Sequence, residues 1–285
     1  MERIAVMTDT NSGMTPEEAR QAGVALLAMP FTVDGRACFE HLDISHREFY
    51  AIQAQGAQIT SSQPAPADLL GMWDELLESN DTIIYIPMTS GLSGSCATAC
   101  ALAQDYDGRV LVVDNRRISV SLKQAVLEAV RLRETGKTAA QIAARLEEKA
   151  LESRIYITVE DLSHLKKSGR ITPAVAAVGT VLNIKPVMKI LDGKLDMHRK
   201  VRGMKQACQT MLEAVRADLE GEFAGKKVIV AAAYSGDEEQ GREWAEVVRQ
   251  EFAGYPFMCD PLPLSIGCHV GEGALGAAVF ADYDM

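Results

Sequence analysis

Thr82-Ile83-Ile84-Tyr85-Ile86-Pro87-Met88-Thr89-Ser90-Gly91-Leu92-Ser93-Gly94-Ser95 is a short apolar run that breaks into hydroxyls and glycines. The run predicts a buried strand over Thr82–Ile86, and the small residues from Ser93 to Ala103 predict a helix. A strand apolar on both faces needs cover on both, which points to a mainly parallel sheet between helices. The loop delivers Ser93 and Gly94 to a helix start, where backbone N–H groups lack partners and glycine lets an anion come close. In open α/β sheets, ligands sit beyond the carboxyl ends of strands. The plainer reading of the same residues is a helix cap of serine and glycine.

Working outward, the first half repeats this alternation. Ile4–Thr8 reads as a strand, Pro16–Gln21 as a short helix and Val24–Val33 as a second strand. Ser45 with Glu48 has the form of a capping box. Pro66–Leu77 carries Leu69, Leu70, Trp73, Leu76 and Leu77 at helical spacing. Val110–Val113 is another buried strand, and Ser119–Leu132 and Thr138–Ala150 are helices, the latter opened by Thr138 and Gln141. The second half differs. Arg154–Val159 is a strand, and Pro186–Leu191 and Lys194–Arg199 flank Asp192-Gly193, a two-residue hairpin signal. Lys205–Leu219 and Glu238–Phe252 read as helices around the apolar strand Val228–Ala233, with a further strand at Leu264–Gly267. The fold class expected is α/β: an N-terminal, mainly parallel, three-layer α/β domain over 1–153, and a C-terminal α+β domain with a mixed sheet over 154–285.

Composition sets the outer limits. The chain has 285 residues, 47% hydrophobic and 24% charged, enough to bury sizeable cores. Mean hydropathy is −0.01, and the apolar stretch Ala174–Leu182 is too short and too rich in alanine to span a membrane. The N-terminus enters a strand directly, without the pattern of an export signal, and six scattered cysteines do not make a disulfide scaffold. A cytoplasmic protein is expected. The net charge of −10 argues against nucleic acid as a partner. Ten basic residues nevertheless fall between Lys166 and Lys205, opposed only by Asp192 and Asp196. Such a segment attracts an anionic ligand or an acidic partner, or is simply a set of solvated faces.

Two further clusters carry hydroxyls or imidazole. Thr60-Ser61-Ser62-Gln63-Pro64-Ala65-Pro66 is held extended by its prolines, and Ser265-Ile266-Gly267-Cys268-His269-Val270-Gly271-Glu272-Gly273 places His269 between glycines, able to hydrogen-bond a carboxylate. Other signals fail. Gly271-Glu272-Gly273-Ala274-Leu275-Gly276 has the dinucleotide spacing, but too little chain follows to complete a βαβ unit. Cys96 and Cys100 share a helix face without a second ligand pair for zinc and read as core residues. His41, Asp43 and His46 are explained by loop polarity. No metal and no cofactor is expected.

In combination these motifs resemble the DegV family, the fatty-acid-binding proteins of the bacterial fatty acid kinase system. Val6-Met7-Thr8-Asp9-Thr10 is similar to its opening strand, Ser61-Ser62-Gln63-Pro64 to its Thr-Ser-Gln-Pro, and Ser90-Gly91-Leu92-Ser93-Gly94 to its Ser-Gly-Leu-Ser-Gly. Leu165-Lys166-Lys167-Ser168-Gly169-Arg170-Ile171, Leu182-Asn183-Ile184-Lys185-Pro186 and His269-Val270-Gly271-Glu272-Gly273-Ala274-Leu275-Gly276 follow in the family's order. The resemblance implies a non-enzymatic carrier with one long-chain fatty acid between its domains. The carboxylate would be held by Ser61 or Ser62, Ser93, the Gly94 amide and His269, with Arg170 in or near this network. It implies delivery to a separate ATP-dependent fatty acid kinase that makes acyl phosphate for phospholipid synthesis, with Arg202 at the docking position, and it allows transient contact with a membrane surface. Serine replaces the usual threonine at 61, Cys96 a frequent aromatic, Ser168 a glycine and Glu272 a proline, which bears on pocket shape. The competing readings are a Ser93/His269 acyl hydrolase and a lipid-responsive regulatory module.

Overall fold

The computed structural model describes residues 2–176 and 183–282. Leu182, which opens the Leu182–Pro186 motif, and residues 177–181 of the apolar stretch before it lie outside the described residues.

Strands β1 (Ile4–Asp9), β2 (Val24–Leu27), β6 (Thr82–Ile86) and β7 (Val110–Val112) form a parallel sheet in the order β2-β1-β6-β7. Successive side chains of these strands enter opposite layers, as strand geometry requires. Val6, Ile84 and Ile86 pack with Leu122, Val126 and Ile142, whereas Met7, Ile83 and Tyr85 pack with Leu69, Trp73 and Ala99. The first layer comes from helices α1 (Pro16–Ala22), α5 (Ser119–Glu134) and α6 (Ala139–Glu148), the second from α3 (Pro66–Ser79) and α4 (Ser95–Leu102). This is the expected three-layer arrangement.

Strands β3 (Pro30–Val33), β4 (Arg36–Phe39) and β5 (Ile59–Ser61) build a small antiparallel sheet in the order β4-β3-β5, with α2 (His46–Ala54) beside it. The single strand expected over Val24–Val33 is therefore two strands in two sheets. The chain breaks before Pro30, which has no N–H and restricts Met29, and the Met29 N–H is instead donated to Thr10 Oγ1 at 3.0 Å.

Strands β8 (Ser153–Thr158), β9 (Ile184–Leu191), β10 (Lys194–Arg202), β11 (Val228–Tyr234), β12 (Phe257–Pro261) and β13 (Leu275–Ala281) form a mixed sheet in the order β10-β9-β8-β13-β11-β12. All its pairings are antiparallel except β11 with β12. Helices α9 (Gly203–Glu220) and α10 (Glu238–Glu251) cover one face through Met211, Val215, Trp244 and Val248. The short helices α7 (Ser163–Ser168), α8 (Pro173–Ala176) and α11 (Leu264–Val270) lie toward the other face. The strand expected at Leu264–Gly267 is the start of α11. A short apolar run does not distinguish strand from helix, and here Pro263 sets the helix entry while Ile266 and Val270 enter one core and Leu264 and Cys268 another.

Two devices tie the halves together. Lys123, buried on α5, donates to Glu18 Oε1 at 2.6 Å and to Asp260 at 3.1 and 3.2 Å. The Asp192-Gly193 hairpin turn sits against Gly91 so closely that a Cβ on Gly91 would overlap the Gly193 carbonyl.

Candidate functional site

The face of the six-stranded sheet opposite α9 and α10 is graded in side-chain size. One cross-strand row reads Leu195, Ile190, Ile155, Ala278, Ala231 from β10 to β11, and the next reads Met197, Met188, Ile157, Gly276, Ala233. Large residues on three strands give way to alanine and glycine on β13 and β11, which leaves a hollow. Met88, Leu92, Ile118 and Val120 close it from the first half of the chain, and Leu262, Ile266 and Val270 from around α11. The cavity, open at one end, has a volume of about 290 Å³, close to the lower end of small-ligand sites.

One end of this cavity is polar. Ser61, Ser62, Ser93, Gly94, Arg170 and His269, all six proposed contact residues, line it together. Ser62, Gly94 and Arg170 are exposed, whereas Ala231 and Ala278 are deeply buried, so the polar end is the outer one. Ser61 ends β5, and its Oγ lies 2.7 Å from His269 Nε2 on α11. Ser62 is fixed by its N–H, donated to the Pro30 carbonyl at 3.1 Å. Helix α4 begins at Ser95, two residues later than expected, with Gly94 at the N-cap. Ser93 thus stands in the loop, where its Oγ accepts the Ser95 N–H at 3.2 Å and lies 2.9 Å from Ser95 Oγ. Gly169, in the left-handed region at φ 69°, turns the chain out of α7 toward Arg170, whose Nη1 donates to the Ser168 carbonyl at 2.6 Å.

Burial, and secondarily the charge of Arg170, pushes the His269 imidazole down to about 4. It is neutral at pH 7. Its Nδ1 has no partner among the described residues. The serine beside the imidazole is Ser61, rather than Ser93 as the Ser93/His269 hydrolase reading would require, and among the described residues no carboxylate bonds the ring.

Arg202 does not line the cavity; it is exposed at the end of β10, in the N-cap position of α9. Cys96 is buried as expected, but Cys100, one turn later on the same face of α4, is exposed. His46 Nε2 lies 2.7 Å from Glu40 Oε1, and Asp43 accepts the Phe39 N–H, so this loop is held by its own polar groups. Among the described residues there is no cluster suited to a metal ion.

Sequence reasoning missed Asn11, Ser119 and Ser265, which also line the cavity. It missed β12 and β13, although Leu275-Gly276-Ala277-Ala278-Val279-Phe280-Ala281 is a continuous apolar run of strand length. It also missed the β3–β4 hairpin, which Asp34-Gly35 signals by the same rule as Asp192-Gly193. The sequence assigns no separate role to Gly91; in the structure it makes room for the hairpin turn at Gly193.

A cavity floored by one face of the six-stranded sheet and closed by loops and helices, polar outside and apolar within, defines the class of molecule. The chain belongs to the DegV family, whose model matches residues 3–282. A DegV domain-containing protein of Deinococcus radiodurans is 31% identical over 278 residues, covering 97% of this chain and 98% of that protein. Among solved structures, a fatty-acid-binding DegV family protein from Thermus thermophilus is similar with a TM-score of 0.88 and 30% identity, over 98% of this chain and all of that one. DegV, a fatty acid binding protein from Bacillus subtilis, gives a TM-score of 0.87 and 26% identity over 99% of this chain and all of that one.

Proposed function

We propose that this protein binds one long-chain fatty acid between an N-terminal domain, 1–153, and a C-terminal domain, 154–285. The carrying observation is a single cavity that joins hydroxyl, amide, imidazole and guanidinium groups at its outer end to an aliphatic interior. The carboxylate is held by Ser61, Ser62, Ser93, the Gly94 N–H, Arg170 and His269, and the acyl chain runs inward over the alanines of β11 and β13. Burial contributes roughly 0.8 kcal/mol per methylene, about 11 kcal/mol for fourteen, before association and chain ordering offset half or more. The polar end adds about 1.5–3 kcal/mol per charge-assisted hydrogen bond and fixes orientation.

A carboxylate at the exposed end is accessible to a second protein. This supports a carrier that works in the cytoplasm and presents the acid to a separate ATP-dependent fatty acid kinase docking near Arg202. The acyl hydrolase alternative is disfavoured by the lone Ser61–His269 pair, since a nucleophile needs a base oriented by a third group. Native and denaturing mass spectrometry tests the reading. A mass excess of one fatty acid, lost on denaturation and reduced in Ser93→Ala, is expected. Protein that takes up no fatty acid when offered it, or labels with a fluorophosphonate probe, refutes it.

A further inference from the structure

A second group of polar residues lies inside the cavity, away from the carboxylate site. Asn11 follows β1 in a short turn fixed by Asp9, whose carboxylate accepts the Asn11 N–H at 2.9 Å and the Met88 N–H at 3.0 Å. Asn11 Oδ1 accepts the Ser265 hydroxyl at 2.6 Å. What remains is the Asn11 Nδ2 group, a pair of N–H donors in a side chain 1% exposed. It makes no hydrogen bond of good geometry among the described residues, and the nearby Asp9 carboxylate, whose charge it helps to hold, already accepts two backbone N–H groups. Ser119 is 4% exposed, and its Oγ likewise has no partner among the described residues. Ser119 opens the sixteen-residue helix α5, and the preceding Ile118 offers no side-chain cap. The positive end of a long helix dipole is therefore at the same place. Its backbone φ of 53° is costly for a residue other than glycine.

Resting on the fatty-acid reading, we propose that Asn11 and Ser119, with Ser265 as support, form a second polar subsite that accepts an oxygen atom carried on the acyl chain. The preferred cargo is then a hydroxy or oxo fatty acid. The Asn11 nitrogen is a donor and the Ser119 hydroxyl can donate, and leaving either unpaired in an apolar cavity is unfavourable. A plain hydrocarbon chain satisfies none of them, whereas a chain oxygen accepts from both. Ser265 holds the amide by its oxygen, so the nitrogen is the atom left to meet a ligand. Ser265 and His269 are one turn apart on α11, about 6 Å along its axis, which places the favoured oxygen in the half of the chain nearer the carboxylate.

The test is competition between stearic acid and its monohydroxy and mono-oxo positional isomers on the delipidated full chain, read by native mass spectrometry. One isomer, or two neighbours, is expected to bind about tenfold tighter than stearic acid. That ratio should fall toward one in Ser119→Ala and in Asn11→Asp, which keeps an acceptor for Ser265 but removes both N–H donors. Because the ratio is taken within each variant, a general loss of stability cancels. Equal or weaker binding of every isomer, as a buried water at the subsite would give, overturns the proposal, and so does a preference that persists in both variants. Failure of stearic acid and all its isomers to bind overturns the fatty-acid reading itself.

Discussion

An imidazole enclosed beneath Ser61 and close to the guanidinium of Arg170 gives up its proton near pH 4 instead of at its usual value. The folded-state value lies below the unfolded one, so the unfolded chain takes up the proton first as pH falls. The stability from burying neutral His269 is complete above about 6.5 and is lost as pH falls toward 4. His269→Gln keeps a hydrogen-bonding group without the titration. Denaturant unfolding of the delipidated proteins at several pH values should show wild type losing about 1–3 kcal/mol more than the variant between pH 7 and 4.5. Parallel curves would refute this account of His269. The chemistry of this end was legible one residue at a time, as hydroxyls beside prolines and a histidine between glycines. The pairing of Ser61 with His269 was not, because it spans 208 positions and depends on β5 meeting α11, a helix that the sequence presented as a strand.

Strands β11 and β13 do two jobs with one pattern. Their outward alternates, Val230 and Val279, pack under α9 and α10, while Ala231, Ala233, Gly276 and Ala278 keep the cavity floor low. The apolar character of Val228–Ala233 was legible, and it correctly gave a strand. The meaning of its alanines was not, since a small residue marks a hollow only once the facing strand and its register are known. Ala278→Leu adds three carbons to that floor. Ligand-loaded protein carrying this change should retain acids shorter by roughly three carbons, with affinity for the longest acids reduced by about 2 kcal/mol, as read from the mass of the bound lipid. An unchanged lipid profile would place the acyl chain elsewhere.

At the scale of the whole molecule, the Gly91 contact couples the binding loop to the hairpin that carries Ile190 and Leu195. A methyl group at Gly91 has no space, whereas Gly71 on α3 has nothing within 4 Å of an added Cβ. Gly91→Ala should therefore cost about 1–3 kcal/mol in denaturant unfolding and release lipid more readily, while Gly71→Ala should be neutral or stabilise by up to about 1 kcal/mol. Equal effects at the two sites would show that the loop and the hairpin do not depend on each other. The four-stranded parallel sheet and part of the six-stranded one were legible from alternating and continuous apolar runs; how the halves lean together was not, because Lys123, Glu18 and Asp260 are far apart in sequence and meet only in the fold. The low floor over β11 and β13 has a last consequence. A sheet normally finishes its interior with its own side chains, and here that layer stops short. An acyl chain lying there is the missing course of masonry rather than a passenger, so changes that tune which lipid is carried also retune how firmly the empty protein stands.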